Sequence, residues 1–191
     1  MAYLTYRLSV VSIIGDMFGG SIVGDGILIP GESYTYRFDD GIDEDIISRM
    51  VALWRQMWCR LPNEVKVSCT EYVRAREGYR SCPFMEFLAR GNRDLRDFAW
   101  SLRRGRLFEF KPDTLGLFSD DGILAIYGHE LAHLYLTSIG DPYHGALPFS
   151  REDKIEREHR ADTCARSWGF DIDQCRKEGS QLKAEHPEAF V

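Results

Sequence analysis

At 191 residues the chain is long enough for one domain with a real core, and its 44% hydrophobic and 28% charged residues are ordinary for a globular protein. A formal net charge of −6 argues against a surface built as a whole for nucleic acid or anionic membrane, though not against a local basic patch. The five cysteines (Cys59, Cys69, Cys82, Cys164 and Cys175) form no CxxC pair and cannot all pair within one chain, which disfavours a disulfide framework or a four-cysteine zinc site and suits reduced thiols in the cytoplasm.

Residues 3 to 38 read as β structure. Tyr3 to Ile14 is rich in β-branched and aromatic residues, and glycine-marked turns then separate Ser21 to Val23, Ile27 to Ile29 and Tyr34 to Phe38. The apolar run Leu8 to Ile14 is cut short by Asp16 and lacks a clean cleavage motif, so it reads as a strand rather than a signal peptide. No stretch approaches the roughly 20 apolar residues that span a bilayer.

From Asp43 the period changes. Ile46, Ile47, Met50, Val51, Trp54, Met57, Trp58 and Leu61 recur at helical spacing and predict an amphipathic helix over 43–60. Beyond Pro62, Glu64 to Tyr72 alternates like a half-buried strand. A helix is expected over Arg93 to Arg104, a strand over Leu107 to Lys111, and a short extended run over Leu115 to Phe118. The next helix starts at Ser119-Asp120-Asp121, which suits an N-cap, and stops at Gly140 with Pro142 beyond. Another begins at Ser150, with Asp153 completing an approximate capping box, and ends at Trp168-Gly169. A last helix covers Ile172 to Lys183. There is no repeat or linker, so the reading is one α+β domain over 1–191. Its parts are an N-terminal β segment (1–40), a helix and strand scaffold (41–112), a core carrying the chemistry (113–170) and a C-terminal helix and tail (171–191).

The chemistry concentrates in GHELAHLYL, Gly128 to Leu136. Histidines four apart lie on one helical face and can meet one ion, while the adjacent glutamate points aside and can take a proton from a water. At 5 His and 14 Glu in 191 positions, chance would supply HExxH roughly 0.01 times per chain. The helix around it is almost wholly apolar, from Ile123 to Ile139. Burying His129, Glu130 and His133 there without partners would cost several kcal/mol, which a bound cation removes. The downstream stretch IEREHRADTCARSWGF places Glu158 on an apolar stripe of Ile155, Ala161, Ala165 and Trp168, with Asp162 one turn further. Two inward carboxylates call for a metal or a hydrogen-bonding partner.

HELAH followed 25 positions later by EHRAD resembles the gluzincin metallopeptidases, and small ImmA/IrrE-like and Ste-type peptidases in particular. The resemblance covers about residues 115 to 170. It implies a minimal zincin-like domain, with a small mixed or antiparallel sheet packed on the HExxH helix and the third-ligand helix. It also implies Zn2+ held by His129, His133 and Glu158, with Glu130 as general base and Asp162 orienting His129 through its other ring nitrogen. Glu156 and His159 are the competing choices of third ligand; Cys82 is available as the upstream ligand that peptide deformylases use, but its neighbours Ser81, Pro83 and Phe84 do not resemble the cysteine loop of that family. Related enzymes supply a tyrosine or histidine to the oxyanion, and DPYHGALPF offers Tyr143 and His144. By the same analogy, Leu115 to Phe118 would be an edge strand for an extended substrate.

The functional expectation is a zinc-dependent endopeptidase acting on a protein or peptide. Its rival is a non-catalytic metal-binding protein that sequesters a partner. A basic run with interleaved aromatics, including Arg93, Arg103, Arg104 and Arg106, offers nucleic-acid binding as a lesser alternative to a solvated helix face. Oligomeric state and substrate have no signal in the residues.

Overall fold

The computed structural model describes residues 35–37, 44–77, 86–89, 100–103, 107–145 and 150–190. Within them the chain forms β1 (Thr35–Arg37), α1 (Glu44–Arg60), α2 (Asn63–Glu77), β2 (Glu86–Ala89), β3 (Trp100–Arg103), β4 (Leu107–Phe110), α3 (Pro112–Leu115), α4 (Asp120–Ser138), α5 (Arg151–Ser167) and α6 (Ile172–Glu185). Short 3-10 turns follow at Pro142–His144 and Pro187–Phe190.

The α+β expectation is overturned, because the described residues are mostly helical. The strands are three or four residues each, in the order β1-β2-β4-β3, with β3 antiparallel to β4 and the other pairs parallel. The HExxH helix α4 packs chiefly against α5, α6, α1 and α2. Helix α5, expected to carry the third ligand, packs on α4, α6 and the 142–144 turn rather than on a sheet. The physical reason lies in α4 itself: Gly122 to Gly128 is a continuous buried run, so apolar surface faces every direction and helices must cover it on several sides.

The segment Glu64 to Tyr72 is helix, not strand. Val65, Cys69 and Val73 are the buried apolar positions, spaced one helical turn apart with Thr70 buried beside them, while Val67 is 37% exposed. The end of the helix expected over Arg93 to Arg104 is strand β3, paired Trp100 to Phe110 and Arg103 to Leu107. Leu115 to Phe118 is no extended run either: Leu115 closes α3, and both it and Phe118 are buried. That stretch therefore has no free edge to offer a substrate peptide. Tyr3 to Phe38, apart from Thr35–Arg37, lies outside the described residues, as do Cys82, Arg93, Arg104 and Arg106.

The core gathers Met50, Trp54 and Met57 of α1 with Phe108, Phe110 and the apolar body of α4. Tyr127 is wholly buried, stands edge-on to Phe108 at 4.8 Å between centroids, and donates its hydroxyl to the Met50 carbonyl at 3.1 Å. A buried phenol needs such a partner.

Both ends of α4 are fixed, and this sets its rotation. At the start, Ser119 caps Gly122 N at 3.1 Å, and Arg49 of α1 donates to the carbonyls of Gly116 and Phe118 and to Asp120. Glu178 of α6 accepts from the backbone N–H and hydroxyl of Ser119, an anion at a helix N-terminus. At the far end Gly140 takes φ +74, which ends the helix as its sequence position predicts.

Candidate metal centre

The capping box of α5 is complete: Ser150 Oγ accepts from Asp153 N, and the Asp153 carboxylate accepts from Ser150 N, both at 3.0 Å. The expected stripe is only partly buried. Ala161, Asp162 and Ala165 face inward, whereas Ile155 is 62% exposed. Two alanines let α5 lie close to α4. On α4, Gly128 makes room for Phe170, since a Cβ there would sit 2.4 Å from the Phe170 ring. This close approach puts Asp162 and Glu158 beside His129.

Three donor atoms converge between the two helices. His129 Nε2 and His133 Nε2 are 3.1 Å apart, and Glu158 Oε2 lies 3.2 Å from the first and 3.4 Å from the second. The imidazoles are largely covered, at 16% and 14% exposed, while the Glu158 side chain is 54% exposed and closes the site from the solvent side. His129, His133 and Glu158 thus form a group that can hold a metal ion.

The ring nitrogens behind this triangle decide what the front can do. His129 Nδ1 donates to Asp162 Oδ1 at 2.9 Å, and the other Asp162 oxygen accepts from Arg176 at 2.5 Å, with Arg166 3.7 Å away. Asp162 is buried, so these partners satisfy it. With its Nδ1 proton committed, neutral His129 turns a lone pair toward His133 and Glu158. In the metal-free protein a second proton can occupy that position. Burial works against charging His129, but the Glu158 hydrogen bond and the charges of Glu130, Glu158 and Asp162 outweigh it and raise its pKa above the usual histidine value. For His133 burial prevails and the pKa is lowered. Glu158, hydrogen-bonded by His129 and then by His133, is held well below the ordinary carboxylate range. A single proton can bridge only one pair of these donors, whereas a cation satisfies all three.

The other expected residues fall as follows. Glu130 is half-buried beside His129 and its charge acts on that imidazole. Glu156 accepts from Arg160 Nε at 2.9 Å, and His159 is exposed on α5, so neither joins the triangle. His144 is buried, with one ring nitrogen 3.0 Å from His133 Nδ1 and the other 3.0 Å from Asp141 Oδ1. Both its nitrogens are used on the far side of His133, which does not fit the expected oxyanion role. Tyr143 is half-buried, with the Arg160 guanidinium 4.6 Å above its ring. Sequence reasoning missed Asp141, Arg160 and Arg176 as supports. The available signal for Asp141 was its place as a cap three residues before a histidine.

Among the described residues no helix is long and apolar enough to cross a membrane. Arg103 ends β3, and the remaining arginines of the basic run fall outside the described residues. The chain matches no known protein-family model, no curated protein and no solved structure, so the likeness to gluzincins rests on its motif residues alone.

Proposed function

We propose that the chain is a zinc-dependent endopeptidase of the gluzincin type, with His129, His133 and Glu158 as the metal ligands. The observation that carries the reading is the triangle of two imidazole nitrogens and one carboxylate oxygen, 3.1 to 3.4 Å on each side, with the rear nitrogens already committed. Tetrahedral zinc with bonds of about 2.0 to 2.1 Å needs neighbouring donors about 3.3 Å apart, and two histidines with one glutamate are a catalytic donor set that leaves a fourth position open. The residues present therefore fit the ion.

When bound, zinc supplies a Lewis acid that polarises a carbonyl and lowers the pKa of a water to near neutrality. The chain's own residues do the rest. Asp162 holds the His129 ring in place, and the two helices fix the spacing of the donors. Glu130, next to His129 on the same helix and not one of the three ligands, accepts the proton of the attacking water and passes it to the leaving amine. A structural metal site has no use for that glutamate. Tyr143 is retained for the oxyanion, because His144 is turned away. The substrate is a protein or peptide chain.

Zinc content and peptide cleavage, measured on wild type and Glu130→Gln, test the proposal. The variant should keep stoichiometric zinc and lose about 10²- to 10⁴-fold in turnover, the usual scale of general-base loss. Undiminished cleavage by the variant would refute the catalytic reading and leave a non-catalytic metal protein.

A further inference from the structure

Behind His133 the chain builds a second support that HExxH and its downstream acids do not include. The turn at Pro142–His144 begins two residues after Gly140, which stops α4, and Asp141 between them caps it through Tyr143 N at 3.0 Å. This folds His144 back onto the helix it has just left. Its side chain is fully buried, and that of Asp141 is 7% exposed.

The hydrogen bonds form a directed series. Asp141 Oδ2 accepts from Arg160 Nη1 at 2.7 Å, and Asp141 Oδ1 accepts from Tyr143 N and from His144 Nδ1, each at 3.0 Å. A carboxylate held by an arginine, a backbone N–H and an imidazole acts as an acceptor only. The His144 proton therefore sits on Nδ1, and its Nε2 presents a lone pair. That lone pair lies 3.0 Å from His133 Nδ1, which must then carry a hydrogen. His133 Nε2 is left bare, facing His129 and Glu158. The reverse tautomer of His144 would set a lone pair against the Asp141 carboxylate.

We propose that His144, held by Asp141, is a positioning residue of the metal centre: it fixes the tautomer and ring orientation of His133 by accepting a hydrogen bond from its Nδ1. The inference rests on the reading of His129, His133 and Glu158 as metal ligands. It gives the loop between the two ligand helices a function separate from substrate contact. Supports of this kind, when removed, cost about 10- to 100-fold in metal affinity.

The test has two arms. In zinc-loaded wild type labelled with 15N in its imidazoles, His144 should carry its hydrogen on Nδ1, with a scalar coupling across the hydrogen bond from His133 Nδ1 to His144 Nε2. A hydrogen on His144 Nε2 overturns the proposal. In competition with a chromophoric chelator, His144→Leu should bind zinc about 10- to 100-fold more weakly. His144→Gln, whose carbonyl can accept the same bond, should recover most of the loss. Equal affinity for wild type and a folded His144→Leu overturns the positioning role alone. A wild type that binds no zinc overturns the metal reading, and the inference with it. Should His144→Leu not fold, the tautomer measurement on wild type decides.

Discussion

His129 and His133 stand one turn apart on the same helix and present the same nitrogen to the same place, yet they are held from behind by unlike partners. His129 leans on a buried carboxylate that is itself met by Arg176 and Arg166 from the outside. His133 leans on a buried imidazole, with the nearest carboxylate one residue further back and bound to Arg160. Their basicity differs as well: the Glu158 hydrogen bond and the charges of Glu130, Glu158 and Asp162 push the first above the ordinary histidine value, while burial holds the second below it. A motif that writes both as H conceals this inequality. An anion behind an imidazole makes it a stronger donor, and a neutral ring fixes direction with less change in charge.

The largest effect should come from removing what both histidines share. Glu158→Ala deletes a donor from the triangle and should weaken zinc binding by more than the roughly 10- to 100-fold lost with an outer support. Glu156→Ala, which removes only a partner of Arg160, should leave binding near wild type. Isothermal titration of both variants checks this, and the opposite ranking would move the third ligand to Glu156. Next in size is the anion behind His129. Asp162→Asn keeps an oxygen for His129 Nδ1 but leaves Arg176 and Arg166 facing a neutral group. Zinc affinity should fall by tens of fold, and the metal-free protein should melt at lower temperature. An unchanged affinity would show that the two supports do not differ in the way drawn above.

The smallest effect concerns protons. Because the pKa of His129 is raised above 6.5, a proton competes with the metal at that ring up to a higher pH than at an ordinary histidine. Affinity should climb as pH rises toward that value, by about tenfold per unit for one displaced proton, and level off above it. His133, whose pKa is lowered, adds to the competition only at lower pH. Chelator competition across pH 6 to 8 that gave a flat profile would contradict the asymmetry.

The segment from Ser119 to Phe170 was legible because its signals are local: a capping serine, a stopping glycine, a capping box, and a motif whose spacing is itself the geometry. Elsewhere the same kind of reasoning misled. Val65, Val67 and Cys69 alternate and suggest a strand, but it is Cys69 and Val73 that follow Val65 into the core, and tertiary packing against α4 settles the matter. Ile155 reads as part of an apolar stripe, yet it stays 62% exposed on the outer side of α5. Among the supports of the candidate metal centre only Asp162 was legible, from its place on the inward row of its helix and from the family resemblance. Arg176 lies 14 residues on in another helix, and nothing in the spacing announces that pairing.

The thin inward face of α5 has one more consequence. Ala161, Asp162 and Ala165 are its buried residues, and two alanines and an acid give the helix little apolar surface with which to hold its place. Glu158 comes 25 residues after His133, so an ion grasped by both would act as a cross-link closing a short loop. By the chain-entropy argument for covalent bridges, a link across such a loop is worth about 3.5 kcal/mol of fold stability, a sizeable share of what a domain of this size possesses. The ion that would act on the substrate would also fasten the helix that completes its own cage.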